Sequence, residues 1–259
     1  MAQNEKDEII VESSVALKDQ KINTIEIDYS ELSKERYTIE FPRIRVKPKI
    51  KVKGGKCYAF FKRAFDIFAS LLGIIILSPL LIIVGLLVKC TSKGPIIYVS
   101  KRIGMNGRVF NFYKFRSMYK DADKRLEALK EQNEIKGGVT FKMKNDPRIT
   151  PFGKLIRKTS IDELPQLFNV LKGDMSIVGP RPSTWEENQC EHMTNDIRQR
   201  QLVPQGLTGE WQTHGRSSTT FDEMVKMDLD YIQNKRSFWY DIKLCFLTIW
   251  CVITGRGAE

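Results

Sequence analysis

An almost uninterrupted apolar segment constrains this chain more than any other feature of its sequence. From Leu71 to Val88 the residues LLGIIILSPLLIIVGLLV include one polar side chain, that of Ser78. A run of this length and hydrophobicity is typical of a membrane-embedded helix, and it begins too far from Met1 to be a cleavable signal peptide. We therefore expect this segment to lie in a bilayer.

The dipeptide Ser78-Pro79 divides the apolar segment. Proline removes one helical hydrogen bond and clashes with the carbonyl group one turn earlier, so a kink or a reversal is expected. Each half has about a dozen residues and reaches less than ~20 Å, whereas the hydrocarbon core is ~30 Å thick. Basic residues flank both ends and draw both towards the cytoplasm. A re-entrant hairpin satisfies these constraints, and a kinked single-pass helix is the alternative. The flanking basic residues are Lys62, Arg63, Lys89 and Lys93.

Residues 1–56 differ in character from the rest and are interpreted as a polar and basic N-terminal extension. Residues 1–40 show little apolar periodicity. Phe41 to Lys53 (FPRIRVKPKIKVK) alternates basic and apolar residues, which predicts an extended segment with one cationic face. That face either follows anionic lipid headgroups, at about 1 kcal/mol for each basic residue, or belongs to a solvated linker.

Charge and cysteine content narrow the class of protein. At 259 residues the chain can bury one substantial core. Its formal net charge of +11 indicates an acidic partner, and we favour an anionic membrane surface and phosphorylated substrates over nucleic acid. With no C-x-x-C pair and two histidines, a zinc site is not indicated. We interpret the five cysteines as reduced thiols facing a cytoplasm: Cys57, Cys90, Cys190, Cys245 and Cys251.

Two elements follow the apolar segment. Ile96 to Met118 alternates aromatic and β-branched residues around an Asn106-Gly107 turn signal, which predicts a β-hairpin. At its end Lys114 and Arg116 are two residues apart, so in a strand both project from one face towards a shared anion, or belong to a solvated face. Residues 121–134 are charged and predict a surface helix.

The stretch TSIDELPQLFNVLKGDMSIVGPRP, residues 159–182, carries the strongest chemical signal. Pro165 near its start and Gly173 past its end predict a helix from Pro165 to Lys172. Asp162 and Glu163 then lie at the helix N-terminus, where the partial positive charge favours ionised carboxylates. The alternative is structural, because Ser160 and Glu163 also fit a capping box.

A constrained arginine and an aromatic helix complete the pattern. In Gly179-Pro180-Arg181-Pro182 the prolines restrict the backbone around Arg181, which lowers the entropy lost when its guanidinium binds an anion. A proline-rich turn with an exposed arginine is the alternative. Phe238 to Ile253 predicts an interfacial or strongly buried helix.

Taken in order, these motifs resemble the bacterial sugar transferase family, the monotopic polyprenol-phosphate phosphoglycosyl transferases. The resemblance covers about Cys57 to the C-terminus and rests on KRAFDIF, the Ser-Pro-broken segment, YKFRSM, the 159–182 stretch and GLTGEWQTHGR. It implies an α+β, mostly helical, monotopic membrane protein with a Ser-Pro-broken re-entrant helix, a small β-hairpin and interfacial amphipathic helices. The re-entrant helix then occupies residues 57–95 and a cytosolic catalytic domain residues 96–259.

The resemblance also implies an activity. Members of this family transfer a sugar 1-phosphate from a UDP-sugar to undecaprenyl phosphate and release UMP, with Mg²⁺ as cofactor. This step initiates exopolysaccharide, capsule, O-antigen or glycoprotein glycan synthesis at the cytoplasmic face of the bacterial inner membrane. The implied partners are the two substrates and the membrane, with no nucleic acid, and a homo-oligomer is left open.

Functional positions carry over residue by residue. Asp162 matches the nucleophile and Glu163 its catalytic partner, and both match the magnesium site. One departure is Gln205, which stands between the proline and the glycine that the family usually joins and puts the loop near Thr208 and Trp211 in question. The other matches are Lys114, Arg157 and Arg181 for substrate phosphates, Lys62 and Arg63 for the lipid phosphate at the interface, and Ser78 and Pro79 for the helix break.

Two rival functions stay open from the residues. One is a direct, non-covalent transferase in which Asp162 only holds Mg²⁺. The other is a non-catalytic adaptor that binds anionic membrane surfaces through the same positive charge and amphipathic helices.

Overall fold

The computed structural model describes residues 41–129, 143, 145–190, 192–214 and 219–254. The fold is mostly helical, as the sequence predicted, and has two small sheets, of which the sequence predicted one. The helices are α1 (Lys56–Thr91), α2 (Ala122–Leu129), α3 (Pro151–Lys158), α4 (Gln166–Lys172), α5 (Trp185–Gln189), α6 (Asn195–Arg198), α7 (Glu210–His214), α8 (Phe221–Asp230) and α9 (Phe238–Thr254). The strands are β1 (Ile97–Ile103), β2 (Val109–Phe115), β3 (Ser176–Val178) and β4 (Gly206–Thr208).

Helix α1 contains the apolar segment and continues through Pro79 as one element of 36 residues. The proline therefore does not divide it into two separate helices. Pro79 cannot donate to the carbonyl of Ile75, and the Ser78 hydroxyl donates to that carbonyl instead, at 2.8 Å. Among the described residues, α1 is the one helix long and apolar enough to cross a membrane. Its re-entrant course in a bilayer stays a prediction.

Both ends of α1 pack against the same globular part of the chain. Near the start, Arg63 donates to the carbonyls of Val170 and Leu171 at the end of α4, at 2.7 and 2.9 Å. Near the other end, Arg116 donates to the carbonyls of Val88 and Ser92, at 3.1 and 2.7 Å. Arginines thus satisfy carbonyl groups that a helix end leaves without partners.

The predicted hairpin is confirmed. Strands β1 and β2 are antiparallel, from the pair Ile97 and Phe115 to the pair Ile103 and Val109. The turn places Asn106 and Gly107 at positive φ, 54° and 72°, a conformation that these two residue types adopt most readily.

The segment from Phe41 to Lys53 lies across the domain, so the linker interpretation is wrong for these residues. Ile44 is buried, and its N–H donates to the Gly107 carbonyl at 3.1 Å. A Cβ added at Gly107 would lie 1.7 Å from the Ile44 carbonyl oxygen, so only glycine permits this approach. Further along, the N–H of Lys53 donates to the Ile232 carbonyl at 2.9 Å. Residues 1–40 lie outside the described residues.

A second, parallel sheet, which the sequence did not predict, sets the path of the Gly-Pro-Arg-Pro segment. Ser176 of β3 pairs with Gly206 of β4, and Val178 pairs with Thr208. Gln205 fits into this arrangement, because its side chain is buried and donates to the carbonyls of Arg200 and Val203, both at 2.9 Å. The loop before Thr208 is therefore well formed with the glutamine in place.

The remaining helix predictions are largely confirmed. Helix α2 covers the first part of the predicted charged helix, whose last residues lie outside the described ones. Helix α9 matches the predicted Phe238 to Ile253 and has two faces. Asp241 and Leu244 are buried, whereas Trp239 and Trp250 remain 79% and 58% exposed.

Candidate active site

The two candidate catalytic carboxylates lie in a short 3₁₀ turn between α3 and α4. That turn spans Ile161–Glu163, and α4 begins only at Gln166. Both carboxylates therefore lie just before the N-terminus of α4, as the sequence predicted, with Leu164 and Pro165 between them and the helix. The capping-box alternative is wrong, because Ser160 has a left-handed backbone, with φ 56°, and its side chain makes no capping hydrogen bond.

Glu163 binds two of the three predicted phosphate-binding cations. Its Oε1 accepts from Lys114 Nζ at 2.7 Å and from Arg181 Nη2 at 2.8 Å, while Oε2 lies 3.4 Å from Arg181 Nη1. Burial alone would raise the pKa of Glu163, but Arg181 and Lys114 together hold it well below its usual range. Glu163 is therefore ionised and fixes the positions of both cations.

Asp162 has a different environment although it is the next residue. Its side chain is buried, and no described residue donates a hydrogen bond to it. Lys114 Nζ is 3.8 Å from Oδ2. Burial raises the pKa of Asp162, Lys114 opposes that shift, and the neighbouring charge of Glu163 adds to it. Asp162 is thus the more basic carboxylate, with oxygens free of protein donors.

The cations reach this site from separate elements. Lys114 projects from β2, and burial lowers its pKa while Glu163 raises it. Arg181 is held in the Pro180-Arg181-Pro182 segment with a side chain 26% exposed, so the exposed-turn alternative is wrong. Arg157, at the end of α3, is exposed. Its positive charge partly opposes the rise that burial causes in the pKa of Asp162.

Three other basic residues singled out from the sequence have structural partners instead. Lys62 is buried and pairs with Asp241 at 2.7 Å, with side chains 6% and 4% exposed. Arg63 caps α4, and Arg116 binds the last carbonyls of α1. The expected shared anion site of Lys114 and Arg116 is wrong, because β2 ends at Phe115 and Arg116 turns towards α1. The geometry likewise engages Lys62 and Arg63 within the protein, and their predicted contact with the lipid phosphate stays a prediction.

Arg102 is a basic residue that the sequence reasoning missed. It pairs with Phe110 in the hairpin, and Tyr98 pairs with Lys114. Because alternate strand residues share a face, Arg102 lies on the same hairpin face as Lys114. The alternation of β1 and β2 was the signal that could have revealed it.

The pair of carboxylates fits a magnesium ion held jointly with a substrate. Within the described ranges, no three His, Cys, Asp or Glu side chains come close enough to form a protein-only metal cage. Mg²⁺ is commonly bound by one or two carboxylates together with substrate phosphates. Asp162, to which no described residue donates a hydrogen bond, suits that role better than Glu163.

Comparison with known proteins shows the family of this chain. The family model described as bacterial sugar transferase matches residues 57–255, and the chain belongs to this family. It is 47% identical over 201 residues to the galactosyl transferase CpsE of Streptococcus agalactiae serotype III and 44% identical over 202 residues to the undecaprenyl-phosphate galactose phosphotransferase of Salmonella typhimurium. These matches cover 76% and 77% of this chain but only 43% and 42% of the two relatives.

A shorter relative is matched over most of its length. The exopolysaccharide production protein ExoY of Sinorhizobium fredii is 40% identical over 200 residues, which cover 76% of this chain and 87% of that protein. Each of the three matches spans 200 to 202 residues.

Proposed function

We propose that this chain transfers a sugar 1-phosphate from a UDP-sugar to undecaprenyl phosphate and releases UMP, as the initiating step of cell-surface glycan synthesis. The observation that carries the proposal is the contrast between the two adjacent carboxylates. Glu163 is neutralised by Lys114 and Arg181, whereas Asp162 lies beside the same cations without a hydrogen-bond donor among the described residues. Relatives named for this chemistry support the choice of substrates.

The chemistry proceeds in two displacements. The Asp162 carboxylate attacks the β-phosphorus of the UDP-sugar, the bond from that phosphorus to the bridging oxygen breaks, and UMP leaves with the electron pair. An acyl phosphate then links Asp162 to the sugar phosphate. A phosphate oxygen of undecaprenyl phosphate attacks the same phosphorus, and the Asp162 carboxylate leaves unchanged.

The surrounding cations make these displacements feasible. Phosphoryl transfer depends mainly on positioning and on neutralising the phosphate oxygens. Lys114 and Arg181 are already oriented by Glu163, and Arg157 adds positive charge near Asp162. Burial raises the pKa of Asp162 above its usual range, so this carboxylate is more basic than an ordinary aspartate.

Mg²⁺ is part of the proposal, held by Asp162 and by Glu163 together with the donor diphosphate. When bound, it neutralises the diphosphate and stabilises the departing UMP. For Glu163 to contribute an oxygen, Lys114 or Arg181 must shift from the carboxylate to the substrate phosphates. Their exchange of one anionic partner for another keeps the site electrically balanced.

A re-entrant α1 places this site at the cytoplasmic face of the inner membrane. Arg63 and Arg116 attach the two ends of α1 to one domain, which argues for both ends on one side of the bilayer. Between them, Ile75 and Ile82 are 60% and 64% exposed. The exposed Trp239 of α9 fits the interfacial zone, where aromatic residues are favoured.

The direct-transfer rival is favoured by one observation, because an Asp162 without hydrogen-bond donors would also serve as a metal ligand only. Purified protein incubated with Mg²⁺ and a panel of UDP-sugars, without lipid, distinguishes the two. We expect UMP release and an added sugar-phosphate mass that peptide mapping places on Asp162. UMP release that requires undecaprenyl phosphate, with no adduct, would establish direct transfer. No UMP release under either condition would instead favour the adaptor.

A further inference from the structure

The carbonyl groups from Pro180 to Ser183, around Arg181, all accept hydrogen bonds. Pro180 and Pro182 have no N–H to donate, so these two residues can be fixed only through their carbonyl oxygens. Backbone N–H groups bind the first and last of the four oxygens, and arginine side chains bind the two between. The four bonds are Gly206 N–H to Pro180 at 2.7 Å, Arg200 Nη2 to Arg181 at 3.3 Å, Arg102 Nη1 to Pro182 at 3.0 Å and Ile103 N–H to Ser183 at 3.0 Å.

Arg200 and Arg102, the two arginines that bind these carbonyls, differ in their other contacts. Arg200 is buried and pairs with Asp228 at 2.7 Å, so it also belongs to the core. Arg102 has no ion pair within hydrogen-bonding distance among the described residues. Its guanidinium lies 5.0 Å from the centre of the Phe112 ring, and its Nε is buried without a hydrogen-bond partner.

The described residues therefore satisfy the Arg102 guanidinium only in part. A buried charged donor without a partner costs free energy, and the positive charge of Arg181 lies near enough to disfavour a second cation on Arg102. The nearby acidic residues are Glu163, which already binds Lys114 and Arg181, and Glu187, which caps α5.

A donor diphosphate would change this balance. Lys114, Arg102 and Arg181 bring three positive charges to a site with the two carboxylates of Asp162 and Glu163. An added dianion compensates the repulsion between these cations. The two terminal nitrogens of the Arg181 guanidinium, here called the Arg181 fork, are already fixed in place and can bind the dianion without losing further conformational freedom.

We propose that Arg102 is a positioning residue for Arg181. Arg102 donates to the Pro182 carbonyl and thereby directs the Arg181 fork towards the donor diphosphate. The Phe112 ring lies against the guanidinium of Arg102 and holds that side chain in place. This inference rests on the proposed function, because the effect of the Arg181 orientation is measured as the rate of UMP release.

A double-mutant cycle tests the coupling between the two arginines. UMP release is measured for wild type, Arg102→Met, Arg181→Met and the double variant with the same UDP-sugar. We expect each single change to lower kcat/KM by about tenfold or more, since each removes the same oriented contact. The double variant should lie within about twofold of Arg181→Met, because without the fork nothing remains for Arg102 to position.

Two further variants separate positioning from general effects. Lys101→Met removes a neighbouring positive charge on the opposite face of β1, where Lys101 is exposed and lies over the Phe41 ring, and should retain wild-type kcat/KM. Arg102→Lys keeps one donor for the Pro182 carbonyl, so its kcat/KM should be at least about threefold higher than that of Arg102→Met. It replaces Arg102→Met in the cycle if the methionine variant does not fold.

The outcomes are distinct. Losses that multiply in the double variant, or an Arg102→Met variant as active as Lys101→Met, overturn the positioning role. If instead the wild type releases no UMP from any UDP-sugar, the proposed function has failed before the cycle begins.

Discussion

Two buried ionic clusters in this molecule use similar residues but differ in how fully their carboxylates are satisfied. At the junction of α1 and α9, Asp241 accepts hydrogen bonds from Lys62 at 2.7 Å, Tyr58 at 2.7 Å and Tyr231 at 2.6 Å. Three donors leave that carboxylate little capacity for a further partner. The junction therefore attaches α1 to α9, and its Asp241 carboxylate is already engaged by these donors.

The active site distributes its donors unevenly. Glu163 receives both Lys114 and Arg181, and Asp162 receives no hydrogen bond from the described residues. An incompletely satisfied buried group lowers stability but retains its reactivity. Burial therefore does not distinguish Asp241 from Asp162, since both are buried, but the number of their hydrogen-bond donors among the described residues does.

The largest expected effect is at Asp162. Asp162→Asn keeps the size of the side chain but cannot form the acyl phosphate, so UMP release should fall by roughly a thousandfold or more. The thermal unfolding midpoint should not fall, because no described hydrogen bond depends on that carboxylate. UMP release and intact mass after incubation with a UDP-sugar measure the first effect, and a retained adduct would show that Asp162 is not the nucleophile.

Asp241 should show the opposite pattern. Asp241→Leu leaves Lys62 buried without its partner, and breaking a buried pair in this way costs about 3–5 kcal/mol. Thermal unfolding in detergent measures the loss, while UMP release per folded molecule should stay near the wild-type value. The double variant Lys62→Met, Asp241→Leu is the control, and it should recover much of the stability since both charges are gone.

An intermediate effect is expected when the Arg181 fork is removed but its charge is kept. Arg181→Lys loses the second hydrogen bond to Glu163 and to a phosphate, so kcat/KM should fall about tenfold for one lost contact of ~1.5 kcal/mol. Steady-state UMP release measures it. Turnover close to wild type would mean that charge alone suffices at this position.

The pH dependence of the first step tests the contrast between the carboxylates directly. Protonated Asp162 cannot attack, so UMP release should decline as pH falls through the pKa of Asp162, which burial places above the ordinary aspartate value of about 3.8. Glu163→Gln removes a neighbouring negative charge and frees Lys114 and Arg181 to act on Asp162. Both changes lower the pKa of Asp162, and the acidic limb should move to lower pH. If the acidic limb of the pH–rate profile moves to higher pH in Glu163→Gln, Asp162 is not the group whose ionisation controls the first step.

The smallest effect is expected at the helix break. Exposed Cys57 and Cys90 lie at the two ends of α1 and serve as natural probes. In wild type, a membrane-impermeant thiol reagent added from the periplasm should label neither. Pro79→Leu restores the missing hydrogen bond and should shift a fraction of molecules towards a spanning helix in which one end becomes labelled. Periplasmic labelling of either cysteine in wild type excludes the re-entrant course.

Local sequence signals correctly predicted the local structure. Asn106-Gly107 specified the hairpin turn, and Gly173, at φ 90°, ends α4 as predicted. These features depend on backbone preferences of single residues, which act over a few positions. The family resemblance was likewise readable from the order of the motifs.

Long-range pairing could not be read in the same way. Lys62, Arg63 and Arg116 look like phosphate-binding residues in the sequence because a positive charge does not specify its partner. Their partners lie 179, 107 and 21 or more residues away along the chain. The three-residue strands β3 and β4 are too short for a recognisable alternation, so the parallel sheet also escaped prediction.

The sequence by itself determined which residues are available: an apolar helix with a proline, a hairpin, two adjacent carboxylates and a constrained arginine. Only the tertiary structure decided how Asp162 and Glu163 differ. Their chemical identities are almost the same, and both follow Ser160 in one turn. Lys114 from β2 and Arg181 from the segment after β3 both reach Glu163, and burial without donors then sets Asp162 apart. The reactivity of a carboxylate depends on its neighbours in space, and the chain brings these together only when it folds.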